Sequence, residues 1–144
     1  MTNSPSAHST RHTLAKAERL CSVTLIDRLF KGEGSRAVSA FPLRMVYRAI
    51  PRPTPTAPPA QMLVSVPKKH FHHAVDRNRA KRQVREAYRL HKHTLYNAIE
   101  AQLPGQQLLV AFIYIDGRHH TTAHIDAKMS SLLQRLAERL APQP

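Results

Sequence analysis

The chain has 144 residues, of which 22 are Lys or Arg and only 9 are Asp or Glu, so its formal net charge is +13. This length suits one domain and excludes an enzyme with separate cofactor and substrate domains. Because 42% of the residues are hydrophobic, the chain can form a core, while its positive charge favours a polyanionic partner and argues against an enzyme with an anionic active site.

Cysteine content and apolar runs indicate the compartment. Cys21 is the single cysteine, which excludes an intrachain disulfide and a cysteine-rich zinc site and fits a reducing cytoplasm. The longest apolar run, residues 108–115, is far shorter than the roughly 20 residues of a membrane-spanning helix. Residues 1–20 lack a signal-peptide pattern, and no helix with a lipid-directed apolar face is evident. We therefore predict a cytoplasmic protein that binds nucleic acid and makes no membrane contact.

The predicted elements begin after an N-terminal arm. Residues 1–14, rich in Ser, Thr, His and Arg, lack periodicity and predict a disordered basic arm, followed by one domain over residues 15–141. Apolar residues recur at helical spacing over residues 15–30. This pattern predicts one amphipathic helix, or two short ones hinged near Cys21 with Ser22 as the N-cap of the second.

The central part of the chain predicts strands. Residues 41–50 alternate, with Leu43, Met45 and Tyr47 on one face. Five prolines fall between residues 51 and 59, so the segment 51–60 cannot be a central strand. We interpret it as a stiff, exposed hairpin connection rather than a protein-docking motif. A short strand follows over residues 62–66, ended by proline.

The C-terminal half predicts a long helix, a strand and a closing helix. Asp76 is a good N-cap for a helix that runs to about Gln102. Residues 107–115 are almost continuously apolar, as in a strand buried on both faces, and residues 125–140 have helical apolar spacing. The order predicts an α+β sandwich of helices on one sheet.

The long helix has one strongly basic side. On a helical wheel its i,i+4 basic residues fall within about 120°, with three more polar residues inside or beside the same arc. The arc consists of Arg77, Lys81, Arg85 and Arg89, together with Asn78, Arg82 and Lys92. A separate apolar side, at about 280–340°, consists of Ala80, Val84, Ala87 and Ala98 and is predicted to be the seam that packs on the sheet. Like charges at this spacing destabilise a helix by a few tenths of a kcal/mol each. An external polyanion therefore explains the arc better than an ordinary solvated basic face.

A specific motif occupies this region. A strand end with Lys68-Lys69 precedes Arg77-Asn78-Arg79 at the start of the helix, and Lys81-Arg82 and Arg85 follow. This spacing resembles the signature of the bacterial ribonuclease P protein subunit, and the resemblance extends over about residues 20–140. It implies a two-layer αβββαβα fold in which a left-handed βαβ crossover passes through the motif helix.

The resemblance also implies a function. The family's protein subunit binds a large catalytic RNA and the single-stranded 5′ leader of precursor tRNA, and it promotes endonucleolytic removal of the leader. Magnesium held mainly by the RNA carries the cleavage, so we expect no catalytic residue in the protein and no metal bound by the protein alone. We expect RNA contacts from Lys68, Lys69, Arg77, Asn78, Arg79, Lys81, Arg82, Arg85 and Arg89.

A leader-binding cleft is implied between the first helix and the sheet. Two phenylalanines that often line it in the family correspond here to Ile26 and Phe30, and a strand position that is often aromatic corresponds to Arg44. We therefore expect weaker base stacking and a larger share of phosphate contact than is usual in the family. Without RNA the protein is expected to be a monomer.

Two other classes of protein fit parts of the sequence. A structural RNA-binding protein of the ribosomal type would share the charge and the fold, but it would not need the Arg-Asn-Arg spacing. A self-sufficient metal-dependent nuclease would need clustered carboxylates, and the nine acidic residues are scattered. The histidines at 70–73 and 119–124 are interpreted as polar surface residues rather than metal ligands.

Overall fold

The structure is a computed structural model that describes residues 13–141, so nearly all of the predicted basic arm lies outside the described residues. A 3₁₀ turn at Lys16–Glu18 precedes three helices and four strands, whose order matches the predicted αβββαβα. They are α1 (Val23–Lys31), β1 (Arg36–Ala40), β2 (Leu43–Pro51), β3 (Ala60–Ser65), α2 (Ala74–Gln102), β4 (Gln106–Tyr114) and α3 (Thr122–Leu140). Within residues 13–141 no helix is long and apolar enough to cross a membrane.

The strands form one sheet in the order β1-β2-β4-β3. The β1–β2 and β2–β4 pairs are antiparallel, whereas β3 and β4 are parallel neighbours joined through α2. This is the expected βαβ crossover; its left-handed sense stays a prediction. Because β4 is central and covered on both faces, residues 107–112 are all buried, which confirms the interpretation of its continuous apolar run.

The two faces of the sheet are covered by different helices. Alternate β2 residues, among them Leu43 and Met45, pack with α2 and α3 in the main core, so two layers account for most of the fold. On the opposite face, Leu29 of α1 packs with Leu109 and Ala111 of β4. Leu29 is fully buried, and burial of such a side chain stabilises a fold by roughly 1.5–3 kcal/mol.

The two ends of α1 lie at the capping residues Ser22 and Gly32. The Ser22 hydroxyl accepts a hydrogen bond from the Leu25 N–H at 3.3 Å, so Ser22 is the N-cap, as predicted. At the other end the Gly32 N–H donates to the carbonyl oxygen of Arg28 at 2.9 Å. Of the two predicted helical pieces, only the second is an α-helix, because the first is reduced to the 3₁₀ turn.

Two local predictions are wrong, and one strand was not predicted from its residues. Asp76 is not the N-cap of α2, because the helix begins at Ala74 and His73 is the N-cap. The Asp76 carboxylate lies instead in the first turn, where the helix dipole favours negative charge. The predicted strand 41–50 begins only at Leu43, because residues 41 and 42 form the turn from β1. The five-residue β1 was not identified from its residues, since only Val38 in it is buried.

The proline-rich segment does not connect a hairpin. Since β4 lies between β2 and β3, the chain from residue 52 to residue 59 must cross the beginning of β4. The Arg52 N–H donates to the carbonyl oxygen of Gly105, and the Leu108 N–H donates to that of Pro59, both at 2.9 Å. Pro58 and Pro59 are buried while residues 53–56 are exposed. Proline suits this crossing because it has no N–H that would need a partner.

Candidate RNA-binding surface

The seam of α2 is placed as the helical wheel predicts. Ala80, Val84 and Ala87 are buried against the sheet, and Tyr88 beside them is also fully buried. The basic residues of the first four turns lie on the exposed side. Asn78, Arg79 and Arg82 are exposed, and Arg77, Lys81, Arg85 and Arg89 are partly exposed.

The basic arc ends before the middle of the helix. Lys92, which the wheel places beside the arc, is fully buried and hydrogen-bonds Glu18 at 2.6 Å. The segment before α1 contacts α2 at this point, since Lys92 also donates to the carbonyl oxygen of Thr13 and Tyr96 donates to Glu18. The surface available to a polyanion is therefore the N-terminal half of α2.

Arg77 has a structural role within the motif. One of its terminal nitrogens donates to the carbonyl oxygens of Phe71 and His72, both at 3.0 Å. These bonds hold the segment that carries Lys68 and Lys69, both exposed, against the beginning of α2. Since a guanidinium has five N–H donors, others remain for a phosphate.

Arg89 differs from most of the basic arc because its guanidinium pairs with a carboxylate, that of Glu86. Its Nε lies 3.0 Å from a carboxylate oxygen of Glu86, and this hydrogen bond lowers the pKa of Glu86. In contrast, no carboxylate within the described chain forms a salt bridge with Arg79, Lys81, Arg82 or Arg85. These four residues carry uncompensated positive charge.

A cavity of about 340 Å³ opens beside these residues. It is lined by Arg79, Arg82, Gln83, Glu86 and Thr122. The Gln83 amide donates to the carbonyl oxygen of His120 at 3.0 Å and lies 3.3 Å from the Thr122 hydroxyl. It thereby fixes α2 to the loop between β4 and α3. Gln83 and Thr122 were not predicted, because only the tertiary fold brings them together.

The basic helix on this fold matches one known family. The family model described as Ribonuclease P matches residues 14–137. The chain belongs to the ribonuclease P protein family. This confirms the predicted resemblance, and the comparisons give no support to the ribosomal-type alternative.

Relatives within the ribonuclease P family cover most of the chain. The ribonuclease P protein component of Porphyromonas gingivalis strain ATCC 33277 is 41% identical over 125 residues, 86% of each chain. That of Chlorobaculum tepidum is 39% identical over 107 residues, 72% of this chain and 68% of the relative. The structure of the Staphylococcus aureus RNase P protein superposes with a TM-score of 0.59 at 20% identity, covering 88% of this chain and all of that one. That likeness confirms the fold.

The residues predicted for the leader cleft lie on the α1 side of the sheet. Ile26 and Val46 are partly buried and both pack against the cluster that contains Leu29. Phe30 is 45% exposed. Arg44 is exposed on β2, two residues before Val46 and hence on the same face. The three residues therefore share one side of the sheet, and their role in leader binding stays a prediction.

Histidines near the basic surface pair with aspartates. The ring nitrogen of His119 lies 3.3 Å from Asp76, and that of His120 lies 2.7 Å from Asp116. The hydrogen bond from His120 lowers the pKa of Asp116. Among residues 13–141 no group of three or more His, Cys, Asp or Glu side chains could hold a metal ion.

Proposed function

We propose that this chain is the protein subunit of ribonuclease P, which binds the catalytic RNA and the 5′ leader of precursor tRNA and promotes removal of the leader. The observation that carries the proposal is the group Arg79, Lys81, Arg82 and Arg85 on one side of α2, with no carboxylate partner in the described chain. Clustered Arg and Lys side chains without carboxylate partners are suited to binding phosphates, to which they donate charge-assisted hydrogen bonds. Membership of the ribonuclease P family supports the same role. We also propose that the protein acts in the cytoplasm and is a monomer when free of RNA.

The sheet topology lets the basic surface and the cleft act on one RNA strand. Arg44 pairs in register with Ile113, and Ile113 pairs with Ser65 at the end of β3. Because Ser65 leads through Lys68 and Lys69 into α2, the cleft and the start of the basic helix lie at the same end of the sheet. A strand in the cleft can therefore continue past these lysines toward Arg79.

The described residues of this surface suit binding rather than hydrolysis. They supply positive charge and hydrogen-bond donors, and Glu86, the carboxylate lining the cavity, is engaged by Arg89. This donor set does not fit a magnesium ion, which prefers carboxylate and phosphate oxygens, and it offers no base positioned to activate water. We therefore propose that the RNA subunit holds the magnesium ions and carries the cleavage. The protein's positive charge would replace cations that screen RNA from RNA.

Single-turnover cleavage of precursor tRNA tests this function. The reactions contain the protein alone, the RNA subunit alone, or both, over a series of magnesium concentrations and leader lengths. We expect no cleavage by the protein alone. With the RNA subunit, the protein should lower the magnesium requirement and tighten precursor binding, and this gain should fall when the leader is cut to one or two nucleotides. Cleavage by the protein without RNA, or a gain independent of leader length, would contradict the proposal.

A further inference from the structure

Phe41 is a large apolar side chain left in solvent at one end of the sheet. It lies in the turn between β1 and β2 and is 55% exposed. Its ring meets the His120 ring edge-on, with centroids 6.0 Å apart and an interplanar angle of 83°. Isolated exposed apolar residues are normal on protein surfaces, but Phe41 belongs to a group of rings.

The other rings of this group are held in place by the fold. His120 stacks on His124 of α3 at 5.0 Å and 17°, and the buried Tyr114 ring packs against His120 at 6.2 Å. Asp116 binds a ring nitrogen of His120 at 2.7 Å. Phe41, His120 and His124 therefore form a preorganised cluster, here termed the aromatic platform.

The aromatic platform adjoins the basic surface of α2. The carbonyl oxygen of His120 accepts a hydrogen bond from Gln83 at 3.0 Å, and Gln83 lines the same cavity as Arg79 and Arg82. Burial raises the pKa of the Tyr114 hydroxyl while the charge of Arg79 opposes that rise, so Arg79 lies within electrostatic reach of the rings. Phosphate-binding groups and flat ring faces thus occur side by side.

We propose that the aromatic platform stacks an unpaired base of the RNA whose phosphates contact Arg79 and Arg82. Binding sites for single strands combine cationic groups that follow the backbone with aromatic rings that stack bases. Both occur here and are linked through Gln83, which bonds His120 and lines the cavity beside Arg79 and Arg82. The inference rests on the proposed RNA binding by α2. It concerns a site separate from Ile26 and Phe30, because the platform lies beside α2 and α3 rather than under α1.

Fluorescence reports directly on stacking at this position. The chain contains no Trp, so Phe41→Trp introduces a single Trp at the platform. A single-stranded oligoribonucleotide of roughly ten nucleotides should quench its emission on binding. An abasic oligomer with the same phosphates should bind in a salt-dependent manner without comparable quenching. As a control, Leu90→Trp places the reporter on α2 at a position that is also partly exposed, 45%, and should show little quenching.

Two substitutions at Phe41 separate ring stacking from apolar bulk. Phe41→Leu keeps an apolar side chain but removes the ring, and it should weaken oligoribonucleotide binding by about 5- to 150-fold, the range for loss of one aromatic stack. Phe41→Tyr keeps the ring and should bind as the unsubstituted protein does. Both variants should retain the melting temperature, because Phe41 is not part of either core.

The outcomes also distinguish this inference from the proposed function. Salt-dependent RNA binding that is equal in Phe41→Leu and the unsubstituted protein would overturn the platform and leave the RNA-binding role of α2 intact. Altered sedimentation of Phe41→Leu, with RNA binding unchanged, would make Phe41 a protein contact and would also overturn it. No RNA binding by the unsubstituted protein would instead contradict the proposed function.

Discussion

The ammonium nitrogen of Lys92 lies 2.6 Å from a carboxylate oxygen of Glu18, and both side chains are almost completely buried, with 1% and 5% exposure. The Tyr96 hydroxyl donates to the same oxygen at 2.6 Å, while the Ala15 N–H donates to the other at 2.6 Å. This network joins the segment before α1 to the middle of α2. The same segment is also bonded to the sheet, because the Leu20 N–H donates to the carbonyl oxygen of Met62 on the edge strand β3 at 2.8 Å.

Lys92→Met should be strongly destabilising, because it leaves the buried Glu18 carboxylate without its cation. Removal of one partner of a buried ion pair costs about 3–5 kcal/mol, and the double variant with Glu18→Gln should recover part of that loss. Urea unfolding of the two single variants and the double variant measures the coupling. A single-variant loss below about 1 kcal/mol, the range of exposed pairs, would show that the pair is not buried in solution.

The same pair predicts how stability depends on pH. Burial alone would raise the pKa of Glu18, but hydrogen bonds from Lys92, Tyr96 and the Ala15 N–H outweigh it and hold the pKa below the ordinary value of 4.5. The ionised form is therefore favoured by folding. Its contribution is complete above pH 4.5 and is lost as the pH falls through the lower folded-state pKa. Unfolding free energies between neutral and acidic pH should fall less steeply for Glu18→Gln; equal slopes for the two proteins would contradict this.

Substitutions on the exposed side of α2 should lower RNA affinity, whereas a substitution on its buried side should lower stability. Arg82→Ala and Arg85→Ala should each weaken RNA binding by about 1–2 kcal/mol and leave the melting temperature nearly unchanged, because each removes a phosphate contact but no core contact. Val84→Asp should unfold the domain, since Val84 is fully buried and the substitution places a charge in the packing seam. Filter binding and thermal melts measure both effects. Destabilisation by all three substitutions, with unchanged RNA affinity, would make the basic arc structural.

Glu86→Gln should strengthen RNA binding several-fold. The substitution removes a negative charge from the cavity lining and releases Arg89 from its ion pair, so the positive potential toward phosphates rises. The RNA affinities of Glu86→Gln and the unsubstituted protein are compared at low salt, where charges are screened least. Weaker RNA binding by Glu86→Gln would mean that the ion pair positions Arg89 for its contact.

RNA affinity should depend steeply on salt. With six or more phosphate contacts, log K should fall by several units per decade of salt, roughly 0.7–0.9 for each phosphate. Arg82→Gln should reduce that slope by about one contact. Titrations at several salt concentrations provide the slope, and a value near zero would contradict an electrostatic interface.

Local patterns in the sequence predicted most of the elements and the two faces of α2. Alternation placed Leu43 and Met45 in the core, and the wheel placed Val84 in the seam. The features that these local patterns could not predict depend on contacts between residues that are distant in sequence. Lys92 has the same periodicity as Arg77, but the segment around Glu18 covers only the later turns of the helix. Likewise, Phe41 and Gln83 become neighbours of His120 only after β4 takes its place in the sheet.

The position of β4 also bears on the order of events during synthesis. When β2 and β3 have left the ribosome, β2 can pair with β1, but β2 and β3 have no hydrogen bonds to exchange with each other, because the strand that belongs between them follows the 29 residues of α2. The sheet can therefore close only after residues 106–114 emerge and insert between two waiting strands. Such distant pairing is slow compared with helix formation. Until then a nascent chain exposes unpaired strand edges that could pair with other chains, and Pro51 at the end of β2 offers no N–H to such a pairing.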